Sequence, residues 1–184
     1  VWDVANRSLV RTLRGHRWAV RHCTFSSDGL SAFTSSSDGI RMWEVSSGEQ
    51  IRHFDLSAAA AIAVSPDGST LATGHGGSDA FDMNNLHLFT LSGKQVRVLP
   101  GHSCPIHAFA FSPDGNRLAS RDQNGRVRVW NLKTGQRAET LYGTAYAAEG
   151  GVAFSPDGRL LAYGSSDVIH LLDANTLKLH SLLR

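Results

Sequence analysis

The sequence is short of the features that mark a membrane span, a disulfide scaffold or a polyanion binder. No apolar run approaches the length needed to cross a bilayer, and SAAAAIAV (57–64) is far too short. Only two cysteines occur, Cys23 and Cys104, at different places in the pattern described below. They build no repeated bridge and are expected to be free thiols of a reducing compartment, which implies a cytoplasmic location. Lys and Arg total 18 against 16 Asp and Glu, with no basic block. Neither nucleic acid nor a membrane surface is therefore an expected partner. No signal-peptide pattern opens the chain, which starts at Val1 rather than Met. The true N-terminus is expected further upstream. Helical periodicity is also missing, which leaves an all-β fold.

What the sequence does have is one short turn written four times: FSSDG (25–29), VSPDG (64–68), FSPDG (111–115) and FSPDG (154–158). The steps from Phe25 to Val64, Phe111 and Phe154 are 39, 47 and 43 residues. A second marker keeps the same beat: Trp2-Asp3, Trp43-Glu44, Phe89-Thr90, Trp130-Asn131 and Leu172-Asp173, in steps of 41, 46, 41 and 42. Two markers sharing a period in this range signal a repeat architecture.

The third copy is the clearest. PIHAFAF (105–111) alternates as a strand, and Ser112-Pro113-Asp114-Gly115 makes a tight reversal in which Gly accepts a positive φ. RLAS (117–120) and RVRVWN (126–131) follow as strands around Asn124-Gly125, a hairpin signal, and QRAETL (136–141) is a fourth, more polar strand. A four-stranded sheet of this size cannot stand alone, because neither of its partly apolar faces is covered. Stacking such sheets radially about an axis covers both.

The chain resembles the WD40-repeat β-propeller family. The marks are GHRWAVRHCTFSSDG (15–29) with TSSSDGIRMWE (34–44), and GHSCPIHAFAFSPDG (101–115) with SRDQNGRVRVWN (120–131). His16 precedes Phe25 by nine residues, as His102 precedes Phe111. The resemblance implies a hydrogen-bonded network within each regular blade. The expected members are His16, Thr34, Asp38 and Trp43 in the first, and His102, Ser120, Asn124 and Trp130 in the third. Asn124 stands there in place of Asp, so that link is expected to be weaker. The imidazoles are read as structural ties, not as catalytic groups.

The second and fourth copies depart from the pattern. Phe54-Asp55 stands where Gly-His would be and Phe89 replaces Trp; Gly143-Thr144 and Leu172 do the same in the fourth. Their first strands are rich in small residues, read as relief of crowding near the axis. The second copy carries an insertion, GHGGSDAFDMNNLHLF (74–89), read as a polar protruding loop with Phe81 and Met83 at its tip. Its Asp79, Asp82, Asn84 and Asn85 do not follow calcium-loop spacing, and GHGG lacks the Lys and Ser/Thr of a phosphate loop. His87 and His170 take the register of Arg41 and Arg128 rather than forming a metal cluster.

The expected plan is one repeat domain over 1–184: the end of a preceding blade (1–13), then blades over 14–55, 56–99, 100–141 and 142–184. Four blades and a remnant imply a segment of a larger propeller, with about seven blades usual for the family. The missing partners are then the remaining blades of the same chain, or a second copy. The resemblance further implies a non-catalytic scaffold for other proteins or peptides, within a multidomain signalling or regulatory protein and without a cofactor or metal. Its binding face is expected to carry Arg17, Trp18, Arg21, His107, Arg121 and Gln123, with Phe81 and Met83 from the insertion. The alternative is a ligand- or metal-binding, or enzymatic, propeller using the central channel, for which His22, His107 and Glu149 are the available inward groups.

Overall fold

The structure, a computed structural model, describes residues 1–56, 61–74, 84–142, 150–165 and 167–183. Every regular element among them is a strand. A short hairpin, β1 (Trp2–Asp3) and β2 (Ser8–Leu9), is followed by four antiparallel sheets of four strands each. Sheet I is β3 (His22–Phe25), β4 (Ser31–Ser36), β5 (Gly39–Glu44) and β6 (Gln50–Phe54). Sheet II is β7 (Ile62–Val64), β8 (Thr70–Thr73), β9 (Leu86–Thr90) and β10 (Gln95–Leu99). Sheet III is β11 (Ile106–Phe111), β12 (Arg117–Asp122), β13 (Arg126–Asn131) and β14 (Arg137–Tyr142). Sheet IV is β15 (Val152–Phe154), β16 (Leu160–Ser165), β17 (Val168–Asp173) and β18 (Leu179–Leu183). In all four the strands lie in chain order. β12 continues two residues past the expected 117–120, and β14 ends at Tyr142, one past the expected strand.

The repeated turn has one job in all four sheets. Its Ser hydroxyl donates to the Asp two residues on, at 2.5 Å in Ser26–Asp28, Ser65–Asp67 and Ser112–Asp114 and 2.6 Å in Ser155–Asp157. The same Ser oxygen accepts the amide that opens the second strand, from Ser31, Thr70, Arg117 and Leu160, each at 2.9 Å. The closing Gly115 has φ +68°, which an L side chain adopts only at a cost. The turn therefore fixes register at one end of each first hairpin, so a one-residue slip, which would turn the apolar residues outward, is blocked.

Three buried clusters hold the sheets together, one per junction. Phe33 and Ile40 of sheet I meet Ile62, Leu71 and Phe89 of sheet II. Leu86, Leu88 and Leu99 of sheet II meet Ile106, Phe109, Leu118 and Trp130 of sheet III. Ala119, Val127 and Val129 of sheet III meet Val152, Leu161, Tyr163 and Leu172 of sheet IV. The first strands β3, β7, β11 and β15 are successive neighbours, so they line the axis while the fourth strands lie outermost. The result is an open arc of propeller blades, not a closed ring. At one end the β1–β2 hairpin lies against sheet I across a groove of about 460 Å³. At the other, Ile169 on sheet IV is 46% exposed.

Candidate interaction face

At the end of each blade opposite the repeated turn, side-chain networks decide which loops are rigid. In sheet I, His16 Nδ1 lies 2.6 Å from Asp38 Oδ1 and its Nε2 2.7 Å from Thr34 Oγ1. Trp43 Nε1 donates to the same hydroxyl at 2.8 Å. Asp38 also accepts from the Arg17 amide and from Arg41 Nη2, both at 3.0 Å. Burial alone would raise the Asp38 carboxyl, but the bonds from the Arg17 amide, His16, Arg41 and Ser36 hold it well below the usual carboxylate range. The entering loop, β4, the hairpin and β5 are thus tied together within one blade.

Sheet III repeats the arrangement with one substitution of role. His102 Nε2 lies 2.7 Å from Ser120 Oγ, Trp130 Nε1 donates to that oxygen at 2.8 Å, and His102 Nδ1 lies 2.9 Å from Asp122 Oδ2. The carboxylate is Asp122, not the expected Asn124. Thr34 and Trp43 are nine residues apart but Ser120 and Trp130 are ten, so the third blade's hairpin is one residue longer. β12 ends at Asp122, two residues past Ser120 just as β4 ends two residues past Thr34, and from there the Asp122 carboxylate reaches the imidazole. Asn124 instead donates its amide to Asp122 Oδ1 at 3.0 Å and its Nδ2 to Cys104 Sγ at 2.9 Å. Burial holds the His102 imidazole below its usual value, against the pull of Asp122. Burial raises Asp122, and the bonds from His102 and from the Arg126 and Asn124 amides more than reverse it. The pair is therefore a neutral imidazole, Nδ1–H donating to a carboxylate, with Nε2 accepting from Ser120.

In sheets II and IV the Trp register is taken by Phe89 and Leu172, which have no N–H to donate. Rings stack near that register. His87 lies 6.3 Å from Phe89, and Tyr163 stacks on His170 at 4.7 Å with planes 4° apart.

The expected binding residues fall into three groups. Arg17, Trp18, Arg21, His107 and Gln123 are exposed, Trp18 by 66%. The Arg17 amide is pinned by Asp38, the Arg21 amide donates to the Ser35 carbonyl at 2.8 Å, and the Gln123 amide to the Pro105 carbonyl at 2.9 Å. Burial first, then the positive charges of Arg121 and Arg21, depress the His107 imidazole, with Asp122 opposing. Arg121 is a correction. It is fully buried, and its Nη1 donates to the Gly150 carbonyl at 3.3 Å, so it wedges between blades III and IV. The sequence pattern places Arg121 beside the hairpin, whereas β12 runs two residues past the expected 117–120 and buries it. Phe81 and Met83 lie outside the described residues, as does Glu149.

Of the inward groups required by a channel site, His22 is half-buried and lowered by that burial. Among the described residues no group of three or more His, Cys, Asp or Glu converges. Cys23 and Cys104 are both free thiols.

The sequence profile described as "WD domain, G-beta repeat" matches residues 7–44 and 93–131, the two segments that end at the intact networks. The chain is a WD40-repeat protein. Among its relatives, WD repeat-containing protein SL1-17 of Schistosoma mansoni is 34% identical over 90% of this chain and 54% of its own length. Angio-associated migratory cell protein of Homo sapiens is 26% identical over the whole chain and 42% of its own length. Autophagy-related protein 16 of Arabidopsis thaliana is 26% identical over the whole chain and 36% of its own. The chain thus spans about half or less of these relatives.

One set of WD40 residues went unread in the sequence. Arg11 follows β2, Arg52 lies on β6 and Arg97 on β10, and each reaches the hairpin of the next blade. Arg11 Nη1 donates to the Ser47 carbonyl at 2.6 Å, Arg52 Nη1 to Ser92 at 3.2 Å and Arg97 Nη1 to Leu132 at 2.6 Å. The signal was present: Arg11 and Arg97 each stand five residues before the marker His.

Proposed function

We propose that this WD40 segment is a non-catalytic platform for other proteins or peptides, and that Arg17, Trp18, Arg21, His107 and Gln123 belong to its binding face. WD-repeat relatives are generally protein-interaction scaffolds, a role that needs rigid blades and free loops rather than reacting groups. The observation that carries the assignment is Trp18. It lies two residues beyond His16, on backbone pinned by the Asp38 carboxylate, yet its indole is 66% exposed. A large aromatic held rigid and left wet loses little entropy on binding, and Trp and Arg are the residue types that dominate interface energetics. The longer relatives support a setting in a larger multidomain protein, and we place it in cytoplasmic signalling or regulation.

A photo-crosslinking amino acid at position 18 tests the face. It should trap a partner that is lost with Arg21→Glu and not trapped from position 28, on the opposite, repeated-turn end. Equal trapping from both positions, or trapping indifferent to Arg21→Glu, would remove the assignment.

A further inference from the structure

We propose that the cleft between blades II and III, on the end of the arc carrying the repeated turns, is a docking slot for an arginine side chain of a partner peptide. It lies at the opposite end from the face assigned above and does not depend on it.

The case rests on comparing two junctions residue by residue. Between blades III and IV the cleft is filled from within. Arg117 lies over the Phe154 ring, 5.4 Å from its centroid, and its guanidinium donates to the Ala174 carbonyl and, at 3.5 Å, to the Gly158 carbonyl. Between blades II and III the matching cleft is open, with a volume of about 600 Å³. The two are equivalent by hydrogen bonding. Thr70 and Arg117 each donate their amide to the turn Ser five residues back, and Leu132 and Ala174 each donate theirs to the second residue-before-strand carbonyl, Asn116 or Arg159. Phe111 matches Phe154, and Gly115 matches Gly158, in the aligned turns. The short Thr70 thus stands where blade III has a long Arg, and the aromatic wall and glycine corner built for a guanidinium remain.

The electrostatics agree. The cleft is lined by two carboxylates, Asp67 and Asp114, against one resident cation, Arg97. Bonds from Ser112 and Asn116, with a smaller contribution from the charge of Arg117, pull Asp114 down to about 2. Asp67 is also lowered, chiefly by Ser65, and it stands to this cleft as Asp114 stands to the filled one. The Leu132 carbonyl is already taken by Arg97 at 2.6 Å. An incoming guanidinium would then lie on the Phe111 ring with its charge toward Asp67. A flat, delocalised cation can stack and bond in this way, whereas an ammonium matches only the charge.

N-acetyl-arginine methylamide is the probe, followed by amide shifts in two-dimensional NMR of the 184-residue chain. Saturable shifts are expected at Thr70, Phe111 and Asn116. Binding should be about fivefold weaker for the lysine analogue and should not saturate for the citrulline analogue, which keeps the shape without the charge. Thr70→Arg should abolish the shifts by supplying the internal plug. Asp67→Asn, which the turn accepts, should weaken binding about threefold or more if Thr70→Arg proves unfolded. Arg117→Ala should open the sister slot and bring new shifts at Phe154. Absence of saturable shifts at the cleft, equal response to the citrulline analogue, or binding undiminished in a folded Thr70→Arg protein would overturn the proposal.

Discussion

The His102 ring and the Asp122 carboxylate lie 2.9 Å apart with both side chains fully withdrawn from solvent. No partner but protein can satisfy them, so each depends on the other. Removing the carboxylate leaves the neutral imidazole N–H desolvated and unpaired, which typically costs about 1–3 kcal/mol.

Asp122→Ala should therefore lower stability to urea by about 2 kcal/mol or more, because the His102 N–H and the Asn124 and Arg126 amides all lose their acceptor. Asn124→Ala, which removes an exposed side chain outside the network, should cost less than about 1 kcal/mol. Equal losses would return Asn124 to the place its position before Gly125 suggested.

The same pair gives a signed pH dependence. His102 and Asp122 both have folded values below their unfolded ones. For such groups the unfolded chain binds more protons in acid, so their contribution is complete above the unfolded values and is lost as pH falls through the folded ones. The urea midpoint should stay level from pH 8 down to about the ordinary His value near 6.5. It should decline below that as unfolded His102 takes a proton, and again as the carboxylates protonate. His102→Gln should shrink the first decline, leaving the part owed to His22 and His107, which burial also lowers, and should keep the second; a midpoint that rises between pH 6.5 and 5 would contradict the neutral assignment.

Glycine positions divide cleanly. Gly39 has φ +116°, and a Cβ there would lie 2.5 Å from the Phe54 carbonyl oxygen and 2.7 Å from His53 Nε2. Among the described residues, none lies within 4 Å of the same atom at Gly151. Gly39→Ala should cost about 2 kcal/mol or more, and Gly151→Ala should fall within about 0.5 kcal/mol of the parent in the same urea assay.

Arg121 and Arg21 separate burial from recognition. Arg121→Ala should destabilise by about 2 kcal/mol, because it empties space between blades III and IV and strands the Gly150 carbonyl. Arg21→Ala should leave stability within about 0.5 kcal/mol while reducing partner capture. Melting curves and crosslinking yields on the two proteins distinguish these outcomes.

Much of this was legible in the residues. The period of the turn and of Trp43, Phe89, Trp130 and Leu172 gave the number of sheets and their third strands, because a turn that must satisfy its own Ser, Asp and Gly tolerates little variation. Trp43 with Thr34 and His16 could be placed from the nine-residue spacing. Asp122 could not: Asp38 and Asn124 both stand four residues after the network hydroxyl and directly before the hairpin Gly, so spacing points to Asn124, and only the fold brings Asp122 to the imidazole. Arg121 is buried because it lies within β12 and not in the hairpin that follows. The interblade arginines were visible as Arg11 and Arg97 before each marker His, but their reach across a junction is a tertiary fact. The open cleft beside Thr70 emerges only when two junctions are superposed.

Methyl and aromatic NOEs test the stacking of the blades most directly. Cross-peaks are expected from Ile62 methyls to the Phe33 ring, from Leu86 or Leu88 to Phe109, and from Val127 to Val152, each pair lying on successive sheets within one buried cluster. Cross-peaks confined to residues of a single sheet, with none across these three junctions, would contradict an arc of blades packed face to face.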